Sequence, residues 1–125
     1  MSTWDETVFT DENSTDFLTE CDRVADDDRE LVVALRDACT VALNHATPGD
    51  ADHTTGLCAA TVAAIWAGAP FTASDVVEEH PLIRARVGAC PEELQEAALQ
   101  VLDAQLERQG EEAPDGLETC VEALS

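Results

Sequence analysis

The sequence predicts an all-α fold, a single compact bundle of five or six helices around a central Ala-rich apolar helix, with an irregular N-terminal segment. Three observations carry this. Apolar residues make up 45% of the 125 residues, which is enough for a packed core in one domain spanning residues 1–125. Only five residues are aromatic (Trp4, Phe9, Phe17, Trp66 and Phe71), and these and the β-branched residues are too scattered for a sheet. Apolar residues recur at three- and four-residue steps between Pro/Gly breaks, the period of a half-buried helix.

The elements follow in order. Residues 1–12 place Trp4, Val8 and Phe9 among Asp, Glu and Thr, an irregular segment that plugs its aromatics into the core. Asn13 or Ser14 caps a short helix with Phe17, Leu18 and Cys21 facing inward. Asp26, Asp27 and Asp28 precede a helix over residues 28–46, where negative charge favours the unpaired N–H groups of a helix start. Its stripe is Leu31, Leu35, Ala38, Cys39, Ala42 and Leu43, with Arg29, Glu30, Arg36 and Asp37 off it, and Thr47 to Asp50 end it. The helix over residues 54–67 has no charged face, so it is buried on most sides and central. Thr72 or Ser74 caps a short helix over residues 74–79, and Pro81 opens a turn or helix through Val87, closed by Gly88. Pro91 opens a long helix with the stripe Leu94, Ala97, Ala98, Val101, Leu102 and Leu106, stopping at Gly110. Asp115 and Glu118 form a capping-box-like pair before a last helix carrying Leu117, Cys120, Val121 and Leu124.

Charge narrows the function classes. Twenty-seven acids face six Arg, with no Lys, for a net charge of −21. Nucleic-acid phosphates and anionic lipid are disfavoured, because binding them requires cationic side chains. A basic partner protein is attracted and its encounter accelerated. The same composition also suits a salt-rich cytoplasm, where screening mutes the repulsion. The net charge is −9 over residues 1–30, −3 over residues 31–90 and −9 over residues 91–125. The acid therefore either forms one face, if the ends lie together, or reflects a buried middle.

Cys21, Cys39, Cys58, Cys90 and Cys120 are odd in number and irregular in spacing, which predicts reduced core thiols rather than a disulfide framework. With no secretory leader pattern and no apolar run of bilayer length, a cytoplasmic location is expected. His45, His53 and His80 have no zinc spacing with Cys58 or with one another, and no metal or cofactor is expected. Glu78, Glu79 and His80 lack the paired Glu-x-x-His of a di-iron bundle, and Asp50 with Asp52 falls short of a calcium loop. A cysteine nucleophile requires an electropositive setting, which this chain lacks, and no catalytic residue is assigned.

The expected function is protein binding, by an inhibitor or immunity-like module that neutralises a basic partner. Its candidate partner-binding residues are Trp4 and Phe9, as an apolar patch, with Asp26, Asp27 and Asp28. One alternative is a ligand-binding or enzymatic domain with a pocket lined by His45, His53 or His80. Another is a housekeeping domain whose acidity is salt adaptation.

Residues Met1 to Leu18 carry a family likeness. Trp4, Phe9, Asp16 and Phe17 fit a Trp-Gly-x-Gly-x-Phe opening followed by Asp and Asn residues and a short acidic helix. His80-Pro81, the Ala-rich central helix and the long Leu/Ala helix extend it more weakly along the chain. The chain in this respect resembles a bacterial family catalogued as domain of unknown function 4259. Asp5 and Thr7 stand where that pattern has its glycines. The resemblance implies an all-α domain and supplies no catalytic residues. Trp4 and Phe9 are read first as anchors that pin the N-terminal segment to the bundle, with the binding role as the alternative.

Overall fold

Residues 56–66 contain no charged side chain, and every one of them is buried. In the computed structural model, which describes residues 3–44, 50–114 and 116–125, they belong to α4 (Ala51–Trp66), the hub of the molecule. Around it pack α1 (Trp4–Phe9), α2 (Glu12–Val24), α3 (Asp28–Asn44), α6 (Leu82–Ala85), α7 (Glu92–Gln109) and α8 (Leu117–Leu124). The short α5 (Ser74–Glu79) lies against α6, and a 3-10 turn at Gly110–Glu112 follows α7. The described residues are thus an all-α bundle without strands. Its eight helices exceed the five or six expected because the short α1 and α6 are formed.

α3 and α4 approach closely at Gly56. Gly56 has no Cβ, and one built there would lie 2.2 Å from Ala42 Cβ and 2.9 Å from the Ala38 carbonyl oxygen. The Ala-rich α4 surface lets backbones meet at this distance, where larger side chains would hold them apart. The predicted α3 stripe is buried at Leu31, Leu35, Cys39 and Ala42, partly buried at Ala38, and 37% exposed at Leu43. Leu43 sits at the edge of that stripe, about 120° round the helix from Leu31. On α7, Leu94, Ala98, Val101 and Leu102 are buried, and on α8, Leu117, Cys120 and Leu124 are.

Several local expectations are corrected. Residues 4–9 form α1 rather than an irregular segment, because Trp4, Val8 and Phe9 fall on one face and are all buried. The cap of α2 is Asp11, whose carboxylate accepts from Asn13 N at 2.9 Å, rather than Asn13 or Ser14. Neither Thr72 nor Ser74 caps α5, whose N-cap is Ala73 without a side-chain cap bond; Asp5 of α1 instead holds the N–H groups of residues 72 and 73 just ahead of it. α4 begins at Ala51, three residues before the expected start. The last turn expected for α3, the Thr47-Pro48-Gly49 break and Asp115 lie outside the described residues.

Other ends follow their sequence signals. Pro81 sits in helical conformation just ahead of α6, and Pro91 is extended just ahead of α7. Gly110, with φ +54, stops α7 in a conformation that other residues rarely adopt.

Candidate protein-binding face

Trp4 and Phe9, expected as an apolar contact patch, are 3% and 0% exposed. The Trp4 Nε1–H donates to Thr61 Oγ1 at 3.0 Å, and the Thr61 hydroxyl donates to the Leu57 carbonyl at 2.7 Å. That relay satisfies two polar groups inside the core, where an unpaired one is costly. Both aromatics are therefore anchors of α1 on α4, and neither is available to a partner in this state.

Asp5, beside Trp4, escaped sequence reading. It is buried, and its Oδ2 accepts from Thr72 N at 2.6 Å and Ala73 N at 2.8 Å. Its Oδ1 accepts from Thr3 Oγ1 at 2.9 Å and Thr72 Oγ1 at 3.2 Å. One carboxylate thus serves the unpaired N–H groups at the head of α5 and ties α1 to that loop. The only sequence signal was an acid between two buried apolar positions.

The three consecutive acids have separate fates. Asp27 Oδ1 accepts from Arg29 N at 3.0 Å and Glu30 N at 3.1 Å, capping α3. Asp28 pairs with Arg86, which also donates to the Ala25 carbonyl at 2.8 Å and lies 5.9 Å from the centre of the Trp66 ring. This pins the α2–α3 elbow to the end of α6. Asp26 is exposed beside them.

The elbow borders an open groove of about 560 Å³ lined by Val24, Asp27, Arg29, Glu30, Val33, Ala34 and Asp37. Val33 is 47% exposed, on the α3 face turned away from the core. Among the described residues, the side chains of Glu30 and Asp37 make no hydrogen bond or ion pair, whereas Arg36 on the same helix is engaged by Glu93 at 3.5 Å. The groove therefore has an apolar floor and a rim of three acids and one Arg.

The two described histidines, His53 and His80, do not converge. His80, buried, has Nδ1 2.7 Å from Asp22 Oδ2 and joins α2 to the α5–α6 link. His45 lies outside the described residues. His53, in the first turn of α4, has Nε2 3.2 Å from Arg108 of α7, so this ring is neutral and accepts the bond. Burial and then the Arg108 charge lower its pKa from 6.5, with Asp50 pulling the other way. Protonation consequently favours the unfolded chain. The contribution is complete above the unfolded value and is lost as pH falls through it. Between about pH 7.5 and 5, the wild type should lose stability relative to His53→Gln in paired urea melts. Parallel curves would mean that the ring is not held neutral.

Burial raises every thiol: Cys21, Cys39 and Cys120 to about 12, Cys90 to about 11, and Cys58 upward as well. For Cys21 the Asp22 and Glu20 charges add to the effect. All five are free thiols, and none has the depressed pKa of a nucleophile. Among the described residues, no three His, Cys, Asp or Glu side chains are grouped to hold a metal, and no helix is long and apolar enough to cross a membrane.

Fold and surface define an all-α domain carrying an acid-rimmed groove on α3. A family model described as "Domain of unknown function (DUF4259)" matches residues 2–118, and the chain belongs to that family. No curated protein and no solved structure matches it.

Proposed function

We propose that this domain is a protein-binding module whose partner is a basic protein, which it neutralises in the manner of an inhibitor. The observation that supports this most directly is the groove with its solvent-exposed Val33 floor and the unengaged carboxylates of Glu30 and Asp37. An apolar floor gives residence time, and the net charge of −21 steers the encounter. The same charge argues against nucleic acid and anionic lipid as ligands.

The test is the association rate of the purified domain with a partner recovered from its native lysate, measured against salt. The rate is expected to fall about tenfold or more between low and high ionic strength. A flat response overturns the steering.

A second reading, salt adaptation, is favoured by one observation. The low acidity of residues 31–90 has a plain cause in the burial of residues 56–66, so the uneven charge along the chain is no argument for a dedicated acidic face. On that reading folding fails in dilute buffer, recovers in molar salt, and no partner shows a salt-dependent association rate.

A further inference from the structure

We infer that the occupant of the groove on α3 is a basic amphipathic helix of the partner, lying along α3 between Asp27 and Asp37. The inference rests on the protein-binding reading and adds the form and location of the contact. Four observations lead to it.

The floor is apolar and open. Val24 at the end of α2 flanks Val33 and Ala34 on α3, and Val33 is among the few large apolar side chains that remain exposed. Its position follows from the helical period: it lies about 200° round α3 from Leu31, on the face opposite the core stripe.

The rim is complementary to a cation. Asp27, Glu30 and Asp37 face the groove with Arg29 as the single opposing charge. Glu30 and Asp37 are two turns apart, so they stand on the same side of the helix, about 10 Å apart along its axis. Lys or Arg side chains two turns apart on a second helix meet that spacing. The Asp27 carboxylate already holds the head of α3, so its charge is fixed in place rather than free to swing away.

The surface does not offer the strand-addition mode of peptide recognition. An added strand requires a sheet edge with unpaired N–H and C=O groups. The groove is walled by helices whose backbone groups bond within each helix, and no strand occurs among the described residues. Side-chain packing is what remains, and a helix supplies it with its own backbone satisfied.

The length also fits. Residues 27 to 37 extend about 15 Å, roughly three turns, which is the footprint of a short helix docked by anchors at i, i+3, i+4 and i+7.

The experiment uses the full chain and a synthetic Leu/Lys peptide of about 14 residues, or four helical turns, with leucines at those positions. A peptide of the same composition with the leucines scrambled off one face is the control. Binding is followed by amide chemical shifts and by peptide helicity. The expected result is helix formation on binding, with shifts concentrated at residues 24–37. Val33→Asn and the Glu30→Arg/Asp37→Arg pair should each weaken binding about tenfold. Glu118→Arg/Glu122→Arg on α8, the same change in net charge elsewhere, should weaken it about twofold or less. Val33 is exposed, and unchanged amide spectra of the free variants separate lost binding from lost folding.

If shifts spread over the surface, if the scrambled peptide binds equally, or if the α8 pair matters as much as the α3 pair, the groove is not the site. A basic partner steered by overall charge would still stand in that case. If the peptide does not bind even at low salt, both the groove and the basic-partner reading fall.

Discussion

Gly56→Ala is expected to destabilise the domain by about 3 kcal/mol or more, although the same change in an isolated helix stabilises it by about 1 kcal/mol. The sign is decided by distance. The new methyl would lie 2.2 Å from Ala42 Cβ and 2.9 Å from a backbone oxygen at Ala38, well inside van der Waals contact. Neither neighbour is the free end of a flexible chain, so α3 and α4 must move apart. That movement loosens the α3–α4 contact and the packing of Cys39, whose Sγ lies 4.0 Å from the Gly56 carbonyl oxygen. For a domain of net stability about 5–15 kcal/mol, the thermal midpoint should drop by about 10 °C or more. Adding Ala42→Gly should recover part of the loss, because it removes one of the two clashing atoms. A midpoint that rises in Gly56→Ala alone would show that the two backbones are not in close approach.

Trp4→Ala comes next, with an expected cost of about 3–5 kcal/mol. The indole is 3% exposed and bonded to Thr61, so truncation removes core volume and leaves α1 held mainly by Val8, Phe9 and the Asp5 carboxylate. Chemical denaturation measures the change. Trp4→Phe, which keeps most of the volume and loses the Nε1–H bond, should cost about 1 kcal/mol for that bond in addition to the smaller packing loss. An unchanged unfolding midpoint in Trp4→Ala would remove Trp4 from the core and return it to the candidate contact surface.

Elements that announce themselves by period were legible. α3, α7 and α8 carry apolar stripes long enough to read, and α4 was recognisable as central because a run without charge has no face to give to water. The end of α5 followed from Pro81, whereas its start was read from a Thr72 or Ser74 cap that the fold does not use. α1 was missed because six residues give too few repeats to separate a helix from an irregular stretch, even though Trp4, Val8 and Phe9 share a face.

The candidate site was legible only in part. Asp26, Asp27 and Asp28 mark the α2–α3 elbow that borders the groove, yet no local pattern says that Asp28 will be claimed by Arg86 from 58 positions away. Asp5 was illegible for the same reason, with partners 67 and 68 positions distant. Val33 was the missed signal, an apolar residue on the face that carries Arg29, Glu30, Arg36 and Asp37, where solvent would have favoured a polar one.

The placement of α1 bears on how the molecule assembles. Its Trp4 touches Thr61 and packs against Gly116, while Asp5 grips residues 72 and 73. As the chain leaves the ribosome, α1 emerges long before any of these partners, with only α2 beside it to rest on. Each of these distant attachments closes a long loop, an entropic toll that local helix contacts such as α3 with α4 largely avoid. The hub and its neighbours can therefore organise early, and the opening turn locks last, once the far end of the polypeptide has arrived.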